Sequence, residues 1–109
     1  MADRPTAPRL RRLPLTAVLG REAPVAVGFR ARLLGLARLD REEAGAGLLI
    51  PRCAGVHTFG MRFRLDLVFL DERGRPLSTR LSVPPRRLAC FHGAAAVLEI
   101  PSGGWEAAR

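Results

Sequence analysis

The sequence predicts a mainly β protein of the α+β class, a small β-sandwich or open barrel with one short helix. Three observations lead to this prediction. Apolar runs of strand length recur along the chain, glycine and proline turn signals separate them, and a single segment has helical spacing. With 109 residues, of which 48% are hydrophobic, the chain can bury one core. We expect residues 1–12 to form a flexible basic tail and residues 13–109 to form a single domain.

The clearest pattern lies in the segment His57–Asp71. From Met61 to Phe69 the odd positions are apolar, whereas the first even positions are charged: Arg62, Arg64 and Asp66. Because side chains alternate between the two faces of a strand, this pattern predicts a central strand with one buried face. Gly60, just before it, suggests a β-bulge or a close backbone approach. We expect the chemistry of the protein at the polar end of this strand.

Shorter runs predict the remaining strands, which cover residues 13–19, 48–51, 77–83 and 94–100. Residues 20–24 are typical of a turn. Asp71–Gly74 has aspartate at the first and glycine at the fourth turn position, which predicts a hairpin. Along the last strand, Leu98 and Ile100 are expected on one face and Glu99 on the other.

One helix is predicted over Val27–Leu39, where Phe29, Leu33 and Leu36 recur at helical spacing. Two glycines within the segment weaken this helix, so it must depend on tertiary packing. Residues 40–47 are predicted as a loop.

The chain carries a net charge of +8, and all 18 basic residues are arginine. This charge favours partners with phosphates or other anions. Nucleic acid is disfavoured, because tyrosine is absent and the phenylalanines are expected in the core rather than on a stacking surface. No apolar run approaches the roughly 20 residues of a membrane span. The apolar stretch after Arg12 ends at Arg21 without a cleavage site, so we expect a cytoplasmic protein with no membrane partner.

The cysteines and histidines are residue types that bind zinc: Cys53, His57, Cys90 and His92. Their spacings do not match a zinc finger, so we expect no metal site and no cofactor. A disulfide between Cys53 and Cys90 is disfavoured in a cytosolic chain.

A polar cluster on the central strand is the main functional candidate. Asp66 lies between leucines, and a buried carboxylate needs a partner. A structural salt bridge to an arginine is one interpretation. The other is a ligand site, in which His57 and Asp66 form an acid–base pair and Glu99 reaches the same surface. The candidate ligand-binding residues are His57, Thr58, Arg62, Arg64, Asp66 and Glu99.

Several segments also carry a resemblance to a known family. They are Leu33–Leu36, Gly47–Ile50, Val56–Asp66, Asp71 with Gly74, and Ala96–Pro101 with Gly103. Over about residues 25 to 104 the chain resembles the domain-of-unknown-function-192 family of small bacterial and archaeal proteins, and Val56–Asp66 is similar to its central motif. The resemblance implies a small β-rich sandwich with a short helix and no named reaction. The positions on the family's most characteristic segment are His57, Thr58, Met61, Arg62 and Asp66.

The leading hypothesis is a binding module, rather than an enzyme, whose pocket takes a small polar or anionic ligand. The first alternative is a hydrolase-like enzyme that uses His57 and Asp66, although the sequence has no Gly-x-Ser-x-Gly nucleophile signature. The second alternative is a weak nucleic-acid binder that uses its arginine-rich surface, with Arg86 and Arg87 as contacts.

Overall fold

The computed structural model describes residues 4–105, which contain eight strands and three short helices. The helices are α1 (Pro8–Arg11), α2 (Phe29–Leu34) and α3 (Arg41–Ala44). The strands are β1 (Leu15–Val18), β2 (Arg21–Pro24), β3 (Leu48–Pro51), β4 (Gly55–His57), β5 (Leu65–Leu70), β6 (Pro76–Val83), β7 (Leu88–Cys90) and β8 (Ala96–Pro101). The predicted mainly β class is confirmed, and the strands of this region do not close into a barrel.

Four strands form the central antiparallel sheet, in the order β3-β8-β5-β6. β5 lies in its interior and is buried along its whole length. The β3 edge is covered, because Val25 bridges to Leu49 and the Ala26 amide donates to the Leu49 carbonyl at 2.8 Å. β6 forms the other edge. The two-stranded ribbons β1–β2 and β4–β7 are separate from this sheet.

Each face of the central sheet carries its own apolar cluster. The helix-side cluster includes Leu10, Ala44, Leu65, Leu67, Phe69 and Ala89. The hairpin-side cluster contains Val18, Ala23, Val68, Leu70, Leu98 and Ile100, with Trp105 packed against it. Alternation along β5 and β8 therefore decides which face of the sheet each side chain occupies, including those of Asp66 and Glu99.

Two hairpins show how turn chemistry sets the register. Leu19 and Gly20 connect β1 to β2 with φ of 52° and 76°, and a type I′ turn needs positive φ at both of these positions. The predicted turn over residues 20–24 was therefore too long, because residues 21–24 pair with β1. The predicted hairpin after β5 is confirmed: Gly74 has a φ of 78°, and its amide donates to the Asp71 carbonyl at 3.0 Å.

The predicted central strand is interrupted. β4 ends at His57 and β5 begins at Leu65, so residues 58–64 form a loop. Gly60 turns this loop with a φ of 82°. Met61 is nevertheless buried in the helix-side cluster. The apolar spacing thus identified a core side chain without identifying the secondary structure that carries it.

The predicted helix is shorter than its apolar spacing indicated. α2 ends at Leu34, because Gly35 takes a φ of 54° and leaves the helical conformation. Phe29 and Leu33, predicted as core residues, are 78% and 52% exposed, whereas Leu36 is buried beyond the end of the helix. The loop predicted over residues 40–47 contains α3, at whose start the Glu43 carboxylate accepts the Asp40 amide at 2.9 Å.

The N-terminal residues differ from the expected flexible tail. α1 buries Leu10 in the helix-side cluster. Arg9 donates to the carbonyls of Gly35 and Ala37, which ties α1 to the segment after α2. Residues 1–3 of the expected tail lie outside the described residues. Across residues 4–105, none of the helices has the length and apolar character to cross a membrane.

Candidate functional site

Thr58 joins two loops that are distant in the sequence. Its side chain is buried, and its hydroxyl donates to the Pro84 carbonyl at 2.7 Å and accepts from the Arg87 amide at 2.8 Å. Its backbone amide donates to the Arg87 carbonyl at 2.8 Å, and its carbonyl accepts from the Arg86 amide at 3.2 Å. These hydrogen bonds fix the loop after β4 against the loop between β6 and β7.

An open groove of about 550 Å³ lies between these two loops, lined by Gly60, Met61, Pro85, Arg86 and Arg87. Its volume falls within the roughly 300–1,000 Å³ typical of sites for small organic ligands. Arg86 has a φ of 66°, a left-handed conformation that residues other than glycine rarely adopt. The Arg86 amide donates to the Thr58 carbonyl, which holds the loop in this conformation.

The groove carries positive charge. Arg86 and Arg87 are exposed, and the ion pairs among residues 4–105 form elsewhere, at Arg62–Asp40 and Arg75–Asp71. Within that part of the chain, neither groove guanidinium is neutralised by a carboxylate. Guanidinium groups bind phosphate and carboxylate through paired, charge-assisted hydrogen bonds. The arrangement can therefore hold a small anion.

Apolar side chains flank the groove on the outer face of the β4–β7 ribbon. His57 lies opposite Leu88, so both point away from the core that Val56 and Ala89 contact. The His57 and Phe59 rings contact each other, with centroids 5.9 Å apart. Phe59 is 51% and Leu88 78% exposed. We call His57, Phe59 and Leu88 the apolar rim.

One of the two ring nitrogens of His57 accepts a hydrogen bond. The Phe59 amide donates to His57 Nδ1 at 3.2 Å. In the neutral ring the hydrogen then lies on Nε2, which makes Nε2 a donor. The rim therefore offers a hydrogen bond as well as apolar surface.

The Asp66 carboxylate accepts its hydrogen bonds from backbone amides. It is 2% exposed, lies opposite Ile100, and points to the hairpin-side face. Its carboxylate accepts from the amides of Ser82 at 2.8 Å, Gly103 at 2.9 Å and Trp105 at 3.4 Å. The Ser82 amide is available because Ser82, with a φ of 56°, lies at a bulge in the β5–β6 register.

The salt bridge expected between Asp66 and an arginine does not form in the described structure. Arg62 pairs with Asp40 at 3.0 Å, and both side chains are more than half exposed. Arg64 donates to the Ser82 carbonyl at 3.0 Å. Asp66 thus holds the β6 bulge and the chain after β8 in place without an arginine.

Glu99 is buried on the opposite face of the sheet. It lies opposite Leu67, is 2% exposed, and accepts the Leu36 amide at 3.2 Å. Burial raises the pKa of Glu99 to about 7, while the Leu36 hydrogen bond and the charge of Arg9 oppose this rise. Glycine is favoured at position 35, because its φ is 54° and a Cβ there would lie 2.5 Å from Glu99 Oε1, so the carboxylate would have to move.

The structure brings together some of the predicted site residues and separates the others. His57, Thr58 and Arg62 belong to the segment that forms one side of the groove. Asp66 and Glu99 lie on opposite faces of the central sheet, so they do not share the surface expected for them. His57 and Asp66 belong to different sheets and use separate hydrogen-bond partners. The acid–base pair of the hydrolase hypothesis is therefore not assembled.

The two cysteines are free thiols on neighbouring segments. The Cys53 thiol donates to the Gly55 carbonyl at 2.9 Å, and Gly55 lies opposite Cys90 in the β4–β7 ribbon. Among residues 4–105, no three side chains of the metal-binding types come together.

The sequence did not indicate that Arg86 and Arg87 meet Gly60 and Met61. Arg86 and Arg87, named as contacts in the nucleic-acid alternative, lie exposed in the connection between β6 and β7. Its partner loop could not be recognised, because the bonds that join them run from Thr58 to backbone groups. Phe59, expected in the core, lies on the surface.

Two solved structures are similar to this fold. One, from Sinorhizobium meliloti, is described as a "putative transcription regulator"; its TM-score is 0.70 and its identity 20%, covering 85% of this chain and 81% of its own. The other, a protein of unknown function from Novosphingobium aromaticivorans, has a TM-score of 0.67 and an identity of 18%, covering 99% of this chain and 86% of its own. At these identities the likeness establishes the fold alone.

No curated protein matches the chain. The sequence profile of the domain-of-unknown-function-192 (DUF192) family, described as "Uncharacterized ACR", matches residues 16–109. This match covers most of the chain and confirms the resemblance found in its central motif, so the chain belongs to the DUF192 family, whose molecular function is not established.

Proposed function

We propose that the protein is a binding module for a small anionic ligand, which it holds in the groove at Arg86 and Arg87. The observation that carries this proposal is the pair of exposed arginines in a groove whose loops Thr58 fixes together. A rigid site binds more tightly than a mobile one, because less conformational entropy is lost on binding.

Two further groups can contribute to anion binding. Arg62 directly follows the groove residue Met61, and its exposed ion pair with Asp40 contributes at most about 1 kcal/mol, so a ligand can displace it. His57 Nε2 is a donor beside the groove. The ligand site is therefore His57, Thr58, Arg62, Arg86 and Arg87, with Thr58 as the residue that positions the loops.

Isothermal titration of the full chain with inorganic phosphate and sulfate tests the proposal. We expect the double substitution of Arg86 and Arg87 by alanine to weaken phosphate binding by about 10-fold or more, because charge-assisted hydrogen bonds are lost. Arg11 and Arg12 form a second exposed arginine pair, and their replacement by alanine is the charge-matched control. Equal loss in both double variants, or no phosphate binding by the unchanged protein, would contradict the proposal.

Single-stranded nucleic acid is a second candidate partner. The sequence pattern disfavours this partner by predicting buried phenylalanines, whereas Phe29 and Phe59 are exposed in the structure. An exposed aromatic ring beside arginines is the combination that stacks bases and binds the backbone. An oligothymidylate added to the same titrations would favour this candidate if it binds tightly while inorganic phosphate does not.

We keep the cytoplasmic location as a proposal. It is supported by the two free cysteines on neighbouring segments, since an oxidising compartment favours disulfides.

A further inference from the structure

We propose that the ligand of the groove is an aromatic phosphate monoester, with its phosphate at Arg86 and Arg87 and its ring on the apolar rim. This inference rests on the proposed function and adds the chemical class of the ligand.

The size of the groove indicates more than an inorganic ion. Its volume is about 550 Å³, whereas a water molecule occupies roughly 30 Å³ of liquid. A free phosphate ion would fill a small part of this space and leave the half-buried Pro85 facing water. A ligand with an organic portion uses the apolar lining that the groove also presents.

The chain leads from the charged groove directly into the apolar rim on both sides. Phe59 immediately precedes Gly60, and Leu88 immediately follows Arg87. The strand register then places Leu88 opposite His57, whose ring contacts Phe59. The apolar rim therefore lies beside the groove, with Phe59 next to one lining segment and Leu88 next to the other.

The chemistry of this surface favours an aromatic group over a flexible chain. Aromatic rings pack on one another in offset or tilted geometry with a gain beyond their buried area, and Phe59 and His57 each offer a ring. His57 Nε2 adds a donor for a polar atom of the ligand. A phosphate monoester carries close to two negative charges at neutral pH, which matches the two groove arginines. Its terminal oxygens accept the paired guanidinium hydrogens.

The test compares phenyl phosphate, butyl phosphate and inorganic phosphate by isothermal titration against the full chain at one ionic strength. We expect phenyl phosphate to bind about 10-fold more tightly than the other two, and Phe59→Ala to remove most of that preference without changing affinity for inorganic phosphate. Leu88→Ser should act in the same direction. Both side chains are exposed, so both variants should fold. Phe29→Ala, at an exposed ring on α2, is the control.

The outcomes separate this inference from the proposed function. Inorganic phosphate binding that depends on Arg86 and Arg87, with no preference for phenyl phosphate, would overturn the inference and leave the proposed function standing. Butyl phosphate binding as tightly as phenyl phosphate would overturn the aromatic assignment. Failure of all three compounds to bind would overturn both. If Phe59→Ala and Phe29→Ala reduce the preference for phenyl phosphate equally, the ligand ring does not lie on the apolar rim, and the inference is overturned.

Discussion

Asp66→Ala is expected to lower the free energy of unfolding by roughly 3–5 kcal/mol, a large part of the stability of a small domain. The carboxylate is buried and accepts short hydrogen bonds from the Ser82 and Gly103 amides, with a longer one from Trp105. Its removal leaves these partly buried amides without their charged acceptor and releases both the β6 bulge and the chain after β8. Urea unfolding monitored by circular dichroism at neutral pH gives the value.

A graded variant and a control accompany this measurement. Asp66→Asn keeps one acceptor oxygen but turns its amide NH₂ toward a backbone donor. It should therefore recover no more than about half of the unfolding free energy that Asp66→Ala loses. Glu72→Ala removes an exposed carboxylate and should change stability by less than about 1 kcal/mol. If Asp66→Ala costs no more than Glu72→Ala, the structural assignment of Asp66 is incorrect.

Glu99→Gln is expected to change how stability depends on pH. Burial raises the pKa of Glu99 to about 7 in the folded protein, above the ordinary value of 4.5 that applies when the chain is unfolded. The folded state therefore binds this proton more tightly than the unfolded state. The stabilisation is fully present below pH 4.5 and is lost as the pH rises through about 7. The loss over this window is on the order of 3 kcal/mol.

Urea unfolding of both proteins between pH 4 and pH 8 measures this effect. Because the substituted glutamine has no charge to bury and can still accept the Leu36 amide, the variant should gain stability relative to the unchanged protein as the pH rises. Taking the difference between the two proteins cancels the other titrating groups. Glu22→Gln, at an exposed position on β2, should give no pH-dependent difference. Parallel curves for Glu99→Gln and the unchanged protein would show that Glu99 is not buried as a titrating group.

The sheet was predictable where local signals act alone. Leu48–Pro51 forms β3 as expected, since a short apolar run stopped by proline has few alternatives. The Asp71–Gly74 turn formed because its aspartate and glycine provide the chemistry of the hairpin. The alternation over residues 96–100 correctly divided Leu98 and Ile100 from Glu99.

The relative placement of the acidic residues required the strand register. Asp66 lies opposite Ile100 and Leu67 opposite Glu99, which assigns the two carboxylates to different faces. A shift of one residue would have placed them on the same face, and the hydrophobic pattern specifies this register weakly because β5 and β8 are buried on both faces.

The groove was not predictable for a related reason. It depends on a loop–loop contact held by the hydroxyl and backbone of Thr58, and threonine bonded to backbone carbonyls leaves no periodic pattern. The spacing of Phe29 and Leu33 indicated a buried helix face, but Gly35 ends α2 before a neighbouring element covers them. Gly35 was visible in the sequence, whereas its close contact with Glu99 depends on tertiary structure.

The central claim is that the loops joined by Thr58 form an anion site. Amide chemical shifts of the ¹⁵N-labelled full chain, recorded during titration with inorganic phosphate at constant ionic strength, test it most directly. We expect saturable shifts concentrated in residues 57–62 and 86–88, which the combined substitution of Arg86 and Arg87 by alanine abolishes. Shifts spread over exposed arginines such as Arg11, Arg30 and Arg73, without saturation, would show general charge attraction and contradict a built site.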